Sequence, residues 1–284
     1  MAEQTHYTPS YLSLVETGQR PVTEWVLERY RVVLSDPVLD GVDIRRLGAT
    51  VADPGGAGLS GVDDLAVILE KTRHLEDNVG AETVVSLVRG LDKTARELAR
   101  HGAGGKSSAA LASDVTRYRG WLEHATGRRA TADRVLQDAA ELAQDGAQRA
   151  HALSFRSLTA RHDGDLAKAV DLAEGALAED GVHPALRTFD RYWKAELLAR
   201  RGENRAAARE LAVDPPESDE LPAGGYWYTP GFLAVQRGLV LSCMGRQAEG
   251  VEEANQGVAA MPAEHRGTDW LDTMLEQVAP GMVS

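Results

Sequence analysis

The sequence is short of cysteine, of aromatic residues and of positive charge, and each shortage closes off a class of protein. The one thiol, Cys243, has no second cysteine with which to form an internal disulfide, so a reducing compartment, the cytoplasm, is expected. The first thirty positions carry no charged start followed by an apolar core and a small-residue cleavage site. No apolar run reaches the roughly 20 residues that a membrane-spanning helix requires. The longest candidate, from Phe232 to Cys243, is interrupted by Gln236 and Gly238. Aromatics are 5% of the chain, and strand-type runs of Val, Ile and Thr are nearly missing. A net charge of -12 and a pI of about 5.2 oppose unaided adhesion to nucleic acid, because Lys and Arg supply most non-specific affinity for phosphate. Any contact with DNA is therefore local.

Catalytic signatures are missing too. The eight histidines include no His-Glu-x-x-His spacing, and a single cysteine leaves the usual Cys-rich zinc sites unmade, so neither metal nor cofactor is expected. There is no Gly-x-Ser-x-Gly elbow and no cysteine beside a candidate histidine. Gly105-Lys106-Ser107 ends like a phosphate-binding loop, but the glycine required five positions earlier is Arg100. No enzymatic function is expected.

What the chain does have is helix-forming material. Its 284 residues are 43% hydrophobic, rich in Ala, Leu, Glu and Arg, and long enough for a sizeable core. The fold class expected is all-α. Two stretches read as linkers, Ser35 to Gly61 with its Asp53-Pro54-Gly55-Gly56, and His101 to Ser108. They divide the chain into an N-terminal part (1–36), a linker (37–61), a connecting helical pair (62–104) broken at Gly80, and a larger part (109–284).

In that larger part a turn recurs. Gly127, Gly164, Gly202 and Gly245 lie 37, 38 and 43 residues apart, each followed five positions later by Ala132, Ala169, Ala207 or Gly250 and preceded by seven by Gly120, Ser157, Ala195 or Gly238. Small residues at these places let the two helices of a hairpin approach closely. The pattern resembles the tetratricopeptide repeat, with Ala139 and Ala176 at its later small position and Pro262 closing the fourth unit. It departs in having no Trp at position four and in running into Asp214-Pro215-Pro216. An α-solenoid of helical hairpins is what the resemblance implies, with a last helix carrying Trp270, Leu271, Met274, Leu275 and Val278 to cover its end. Carried across, the repeat places Arg117, Trp121, His124, His151, Arg161, His162, Phe189, Tyr192, Glu196 and Arg200 on a concave groove. Aromatic bodies mixed with cations suit an acidic peptide or a small carboxylate effector.

At the other end, Thr8 is a good N-cap, Pro9 suits a first helical position and Gly18 suits a helix stop. Leu12 and Val15 would form the apolar stripe of this short helix, covered by Trp25, Val26, Tyr30 and Val33 of the next. The run Ser10-Tyr11-Leu12-Ser13-Leu14-Val15-Glu16-Thr17-Gly18-Gln19-Arg20-Pro21 resembles the recognition helix of XRE-type, phage-repressor-like helix-turn-helix transcriptional regulators of the actinobacterial kind. Against that family's domain the sequence begins within the second helix, so a partial domain is expected. The resemblance implies double-stranded DNA as a partner, with Thr8, Pro9, Ser10, Tyr11 and Leu14 at base-contact positions and Gln19 and Arg20 on phosphates. It also implies homodimerisation, which sets two recognition helices one DNA turn apart. Residues 1–36 hold three Arg and no Lys against five acids. The alternative is a protein- or peptide-binding tetratricopeptide-like scaffold that has lost DNA binding.

Overall fold

The computed structural model describes residues 41–102, 104–213, 221–222 and 224–280. All seven of the expected DNA contacts, Thr8, Pro9, Ser10, Tyr11, Leu14, Gln19 and Arg20, lie outside them. The described residues contain twelve α-helices and no strand. They are α1 (Ile44–Ala52), α2 (Leu59–Val79), α3 (Ala81–His101), α4 (Lys106–Ala125), α5 (Arg129–Leu142), α6 (Gly146–His162), α7 (Leu166–Ala178), α8 (Pro184–Arg200), α9 (Asn204–Leu211), α10 (Pro230–Cys243), α11 (Gln247–Ala260) and α12 (Asp269–Val278). The protein is all-α, and none of the described helices is long and apolar enough to cross a membrane.

The helices pair in chain order, α2 with α3, α4 with α5, and so on to α10 with α11. A second set of contacts joins α2, α4, α6, α8, α10 and α12 successively. These six form an inner row, and their partners lie outside it.

The recurring glycines occupy the turns between paired helices. Gly127, Gly164, Gly202 and Gly245 have φ of 79°, 82°, 79° and 84°, the left-handed region that a residue with a Cβ enters only at a cost. The small residues seven positions earlier sit at the crossings. A Cβ on Gly120 would lie 2.5 Å from Leu136 Cδ2, and one on Gly238 would lie 2.6 Å from the Gly250 carbonyl and 2.9 Å from the Ala254 nitrogen. Between α6 and α7 the small residue also bonds, since Ser157 Oγ donates to the Ala169 carbonyl at 2.7 Å. Leu122 and Leu136 are completely buried against these crossings, each contributing about 2 kcal/mol of apolar transfer.

Two expectations are corrected. The stretch expected as a linker contains α1 and a 3-10 turn at Pro54–Gly56. Asp43 caps α1 by accepting from the Arg45 and Arg46 amides, and Arg46 forks onto the buried Asp64 with two 2.7 Å bonds. Ile44, Leu47 and Val51 stand at helical spacing along it, but Ile44 and Val51 stay exposed, and the helix is fixed by a cap and an ion pair. At the second expected linker, α3 packs directly on α4. One core runs from Val62 and Leu65 through Val88 and Leu98 to Val115 and Leu122.

Close approach at the crossings yields a paired prediction. Gly238→Ala forces backbone apart and is expected to lower unfolding free energy by about 1–3 kcal/mol. Gly90→Ala, in an exposed part of α3 with nothing within 4 Å of the new Cβ, is expected to raise it by about 0.5–1 kcal/mol. Urea unfolding of both variants checks the signs; stabilisation by Gly238→Ala refutes the crossing.

Candidate functional site

The inner row lines a partly open cavity of about 430 Å³. Each inner helix presents a stripe of residues three and four apart: Arg73, Glu76 and Asp77 from α2, Arg117, Trp121 and His124 from α4, Phe155, Leu158 and His162 from α6. Phe189, Trp193 and Glu196 come from α8, Phe232, Gln236 and Leu239 from α10, and Trp270, Met274 and Gln277 from α12. Such spacing holds side chains on one helix face. The segment before α10 adds Tyr226, Trp227 and Tyr228.

Where the inner row might have stayed open, its two ends meet. Trp270 Nε1 on α12 donates to Asp77 Oδ1 on α2 at 3.3 Å, Tyr226 Oη donates to Asp77 Oδ2, and Tyr226 Oη lies 3.2 Å from the Arg73 carbonyl. The Tyr226 ring also packs on His74 with centroids 4.1 Å apart.

Of the ten residues expected on a groove, Arg117, Trp121, His124, Arg161, His162, Phe189 and Glu196 line the cavity. His151 lies behind its wall, taking a hydrogen bond from Tyr228 Oη at 2.9 Å. Arg200 stands at the rim, donating from Nε to Glu196 Oε1 at 2.8 Å and from Nη2 to Gln277 Oε1 at 2.9 Å. Tyr192 is a correction. It is fully buried and points the other way, its Oη donating to the Val213 carbonyl at 2.8 Å. Position 192, three residues after Phe189 and four before Glu196, sits at the edge of the α8 stripe, about 100° from Trp193; Trp193 lines the cavity instead. Sequence reasoning also missed Arg73, Glu76, Asp77, Phe155 and the Tyr226–Tyr228 run. The last had a signal, three consecutive aromatics in a chain with few.

A line of hydrogen bonds with a fixed direction crosses one wall. Arg161 can only donate, and its Nη2 lies 2.6 Å from His162 Nε2. His162 therefore carries its proton on Nδ1, which faces His124 Nε2 at 2.7 Å. His124 in turn carries its proton on Nδ1, 3.2 Å from Thr159 Oγ1, and that hydroxyl donates to the Phe155 carbonyl at 3.1 Å. Both imidazoles are neutral in this arrangement. Burial, and then the neighbouring His162, pulls His124 down to about 3, and burial with Arg161 pulls His162 down to about 4. Burial and Arg117 likewise hold His151 well below its ordinary value.

Two buried carboxylates of the wall are fully engaged. Glu76 accepts from Trp121 Nε1 at 2.7 Å and Tyr118 Oη at 2.8 Å, and burial outweighs these donors to push it up to about 7. Glu196 accepts from Arg161 Nη1 at 2.9 Å, from Arg200, and from Gln236 Nε2 at 2.9 Å. Arg161 also lies over the Trp193 ring, 5.1 Å from its centroid. Among the described residues no group of three or more His, Cys, Asp or Glu is placed to hold a metal ion.

No protein-family model, curated protein or solved structure matches this chain.

Glu76 gives a pH signature with a definite sign. Because its folded value of about 7 exceeds the ordinary 4.5, the folded state keeps a proton that the unfolded chain releases between those limits. Stability from this group therefore falls as pH rises through that window and is flat above it. Glu76→Gln removes the slope, so relative to the native protein the variant is expected to gain up to about 3 kcal/mol between pH 4.5 and 8. Urea unfolding of both proteins at the two pH values measures it, and a pH-independent difference rejects the raised value.

Proposed function

We propose that this chain is an effector-sensing transcriptional regulator: a helical array that holds a small ligand in its central cavity, joined to N-terminal residues that read DNA. The observation that carries the sensing half is the cavity itself, whose aromatic walls and charged groups come from all six inner helices. A cavity of about 430 Å³ is of the size that holds a small molecule. The tetratricopeptide-like assignment is supported by the positive-φ glycines at the hairpin turns and by the two rows of helices.

The DNA-reading half rests on the resemblance of residues 8–21 to the recognition helix of XRE-type regulators. There Thr8, Ser10 and Tyr11 supply donors and acceptors, Pro9 and Leu14 apolar contact with thymine methyls, and Gln19 and Arg20 phosphate contacts. A homodimer would double this small contact set. The scaffold reading is favoured by one observation, the excess of five acids over three Arg in residues 1–36, which gives that end no basic footprint.

A gel shift with the DNA adjoining the gene separates the two. The regulator reading expects sequence-dependent retardation at low salt, weakened at least about tenfold by the Ser10→Ala, Arg20→Ala double variant. Absent retardation, or retardation indifferent to sequence and to the variant, favours the scaffold.

A further inference from the structure

Donors and acceptors on the cavity wall are out of balance, and the imbalance has one sign. Glu76, Asp77 and Glu196 have both oxygens taken by protein donors. The guanidiniums do not fare so well. Arg73 is 4% exposed and Arg117 2%, yet Nε and Nη2 of Arg73 and Nε of Arg117 find no acceptor among the described residues. The polar contacts of Arg117 are long, 4.0 Å from Nη2 to Asp114 Oδ1 and 3.5 Å from Nη1 to His151 Nε2. The lone pair on that histidine is already met by Tyr228. Beyond these, Arg117 has only the face of Phe155, 5.6 Å from its ring centroid, and Arg73 lies 5.6 Å from that of Tyr118. Burial, and then the like charge of Arg73, pulls Arg117 down to about 10. Two adjacent buried cations with unmet N–H groups are costly to fold, and both face the cavity.

We propose that the cavity binds a small aromatic carboxylate, its carboxylate held by Arg73 and Arg117 and its ring packed among Trp121, Phe155 and Trp227. The proposal rests on the reading of the cavity as an effector site and specifies the chemistry of its occupant. A planar carboxylate matches the guanidinium fork. A single negative charge fits better than a phosphate dianion, because Glu76 and Asp77 share the wall. Aromatic faces close to the anchor select a ring over an alkyl chain, and the volume of about 430 Å³ suits a small organic acid rather than an extended peptide.

The test uses two fluorescent probes of similar size, the anionic 1-anilinonaphthalene-8-sulfonate and the neutral N-phenyl-1-naphthylamine, titrated into the full chain. The native protein is expected to bind the anion at least about tenfold more tightly. Arg117→Met or Arg73→Met is expected to bring the two affinities together by weakening the anion alone, while raising the Tm of the ligand-free protein because an unpaired buried charge has gone. Displacement then distinguishes sources of the carboxylate: 1-naphthoate is expected to displace the dye, 1-naphthamide to fail, and an N-acetylated tripeptide with a free C-terminus to be weaker than naphthoate. Equal binding of the two dyes by the native protein overturns the anion anchor but leaves the cavity a binding site, a comparison that needs no variant. If neither dye binds, the effector-site reading falls and takes the proposal with it. A tripeptide stronger than naphthoate overturns the small-molecule assignment.

Discussion

Helices can expose a charged, aromatic face to an interior cavity only if something else holds them together, and here that is the close crossing within each hairpin. Gly238 against Gly250 and Ala254, Gly231 against Gly257, and Gly120 beneath Leu136 leave no room for another methyl group. Contact at that distance brings backbone atoms into dispersion range over several turns, and interior packing is unforgiving of added volume. The inner helices are thereby fixed in rotation, with the stripe at 117, 121 and 124 turned inward on α4 and that at 189, 193 and 196 on α8. Side chains on those stripes are free to serve something other than packing.

Polar groups away from the cavity are treated in the opposite way. Glu123, fully buried, receives Arg89 through two 2.8 Å bonds and Arg128 at 2.6 Å; these arginines hold it down to about 2. Asp92 collects Thr116 at 2.6 Å, Arg119 at 2.7 Å and Arg96 at 3.0 Å. These clusters pin α3 to α4 with charge matched to charge, as buried ionic groups require. Seen beside these two clusters, the guanidiniums of Arg73 and Arg117 differ in having no carboxylate within hydrogen-bond distance among the described residues.

Much of this was legible in the sequence, for a physical reason. Left-handed turns and tight crossings restrict residue identity, so Gly127, Gly164, Gly202 and Gly245 announce hairpins wherever the spacing repeats. The inward stripes followed from the same register, which is why Arg117, Trp121, His124 and Glu196 could be placed, whereas spacing alone did not decide between Tyr192 and Trp193, both within one turn of Phe189 and Glu196. What could not be read was the pairing of distant parts. Nothing local to Arg73 or Asp77 says that Tyr226 and Trp270 will arrive beside them, and nothing local to α1 says that its Arg46 will meet Asp64.

The junction of α2 with α12 changes the mechanics of the whole array. A row of stacked hairpins is held by nearest neighbours and can fray from either terminus independently. Once Asp77 grips Trp270 and Tyr226, loosening of the first helices also releases the last, and the row behaves as a loop fastened at one seam. Any molecule that touches both sides of that seam acts as a clasp, tightening all twelve helices through a handful of contacts.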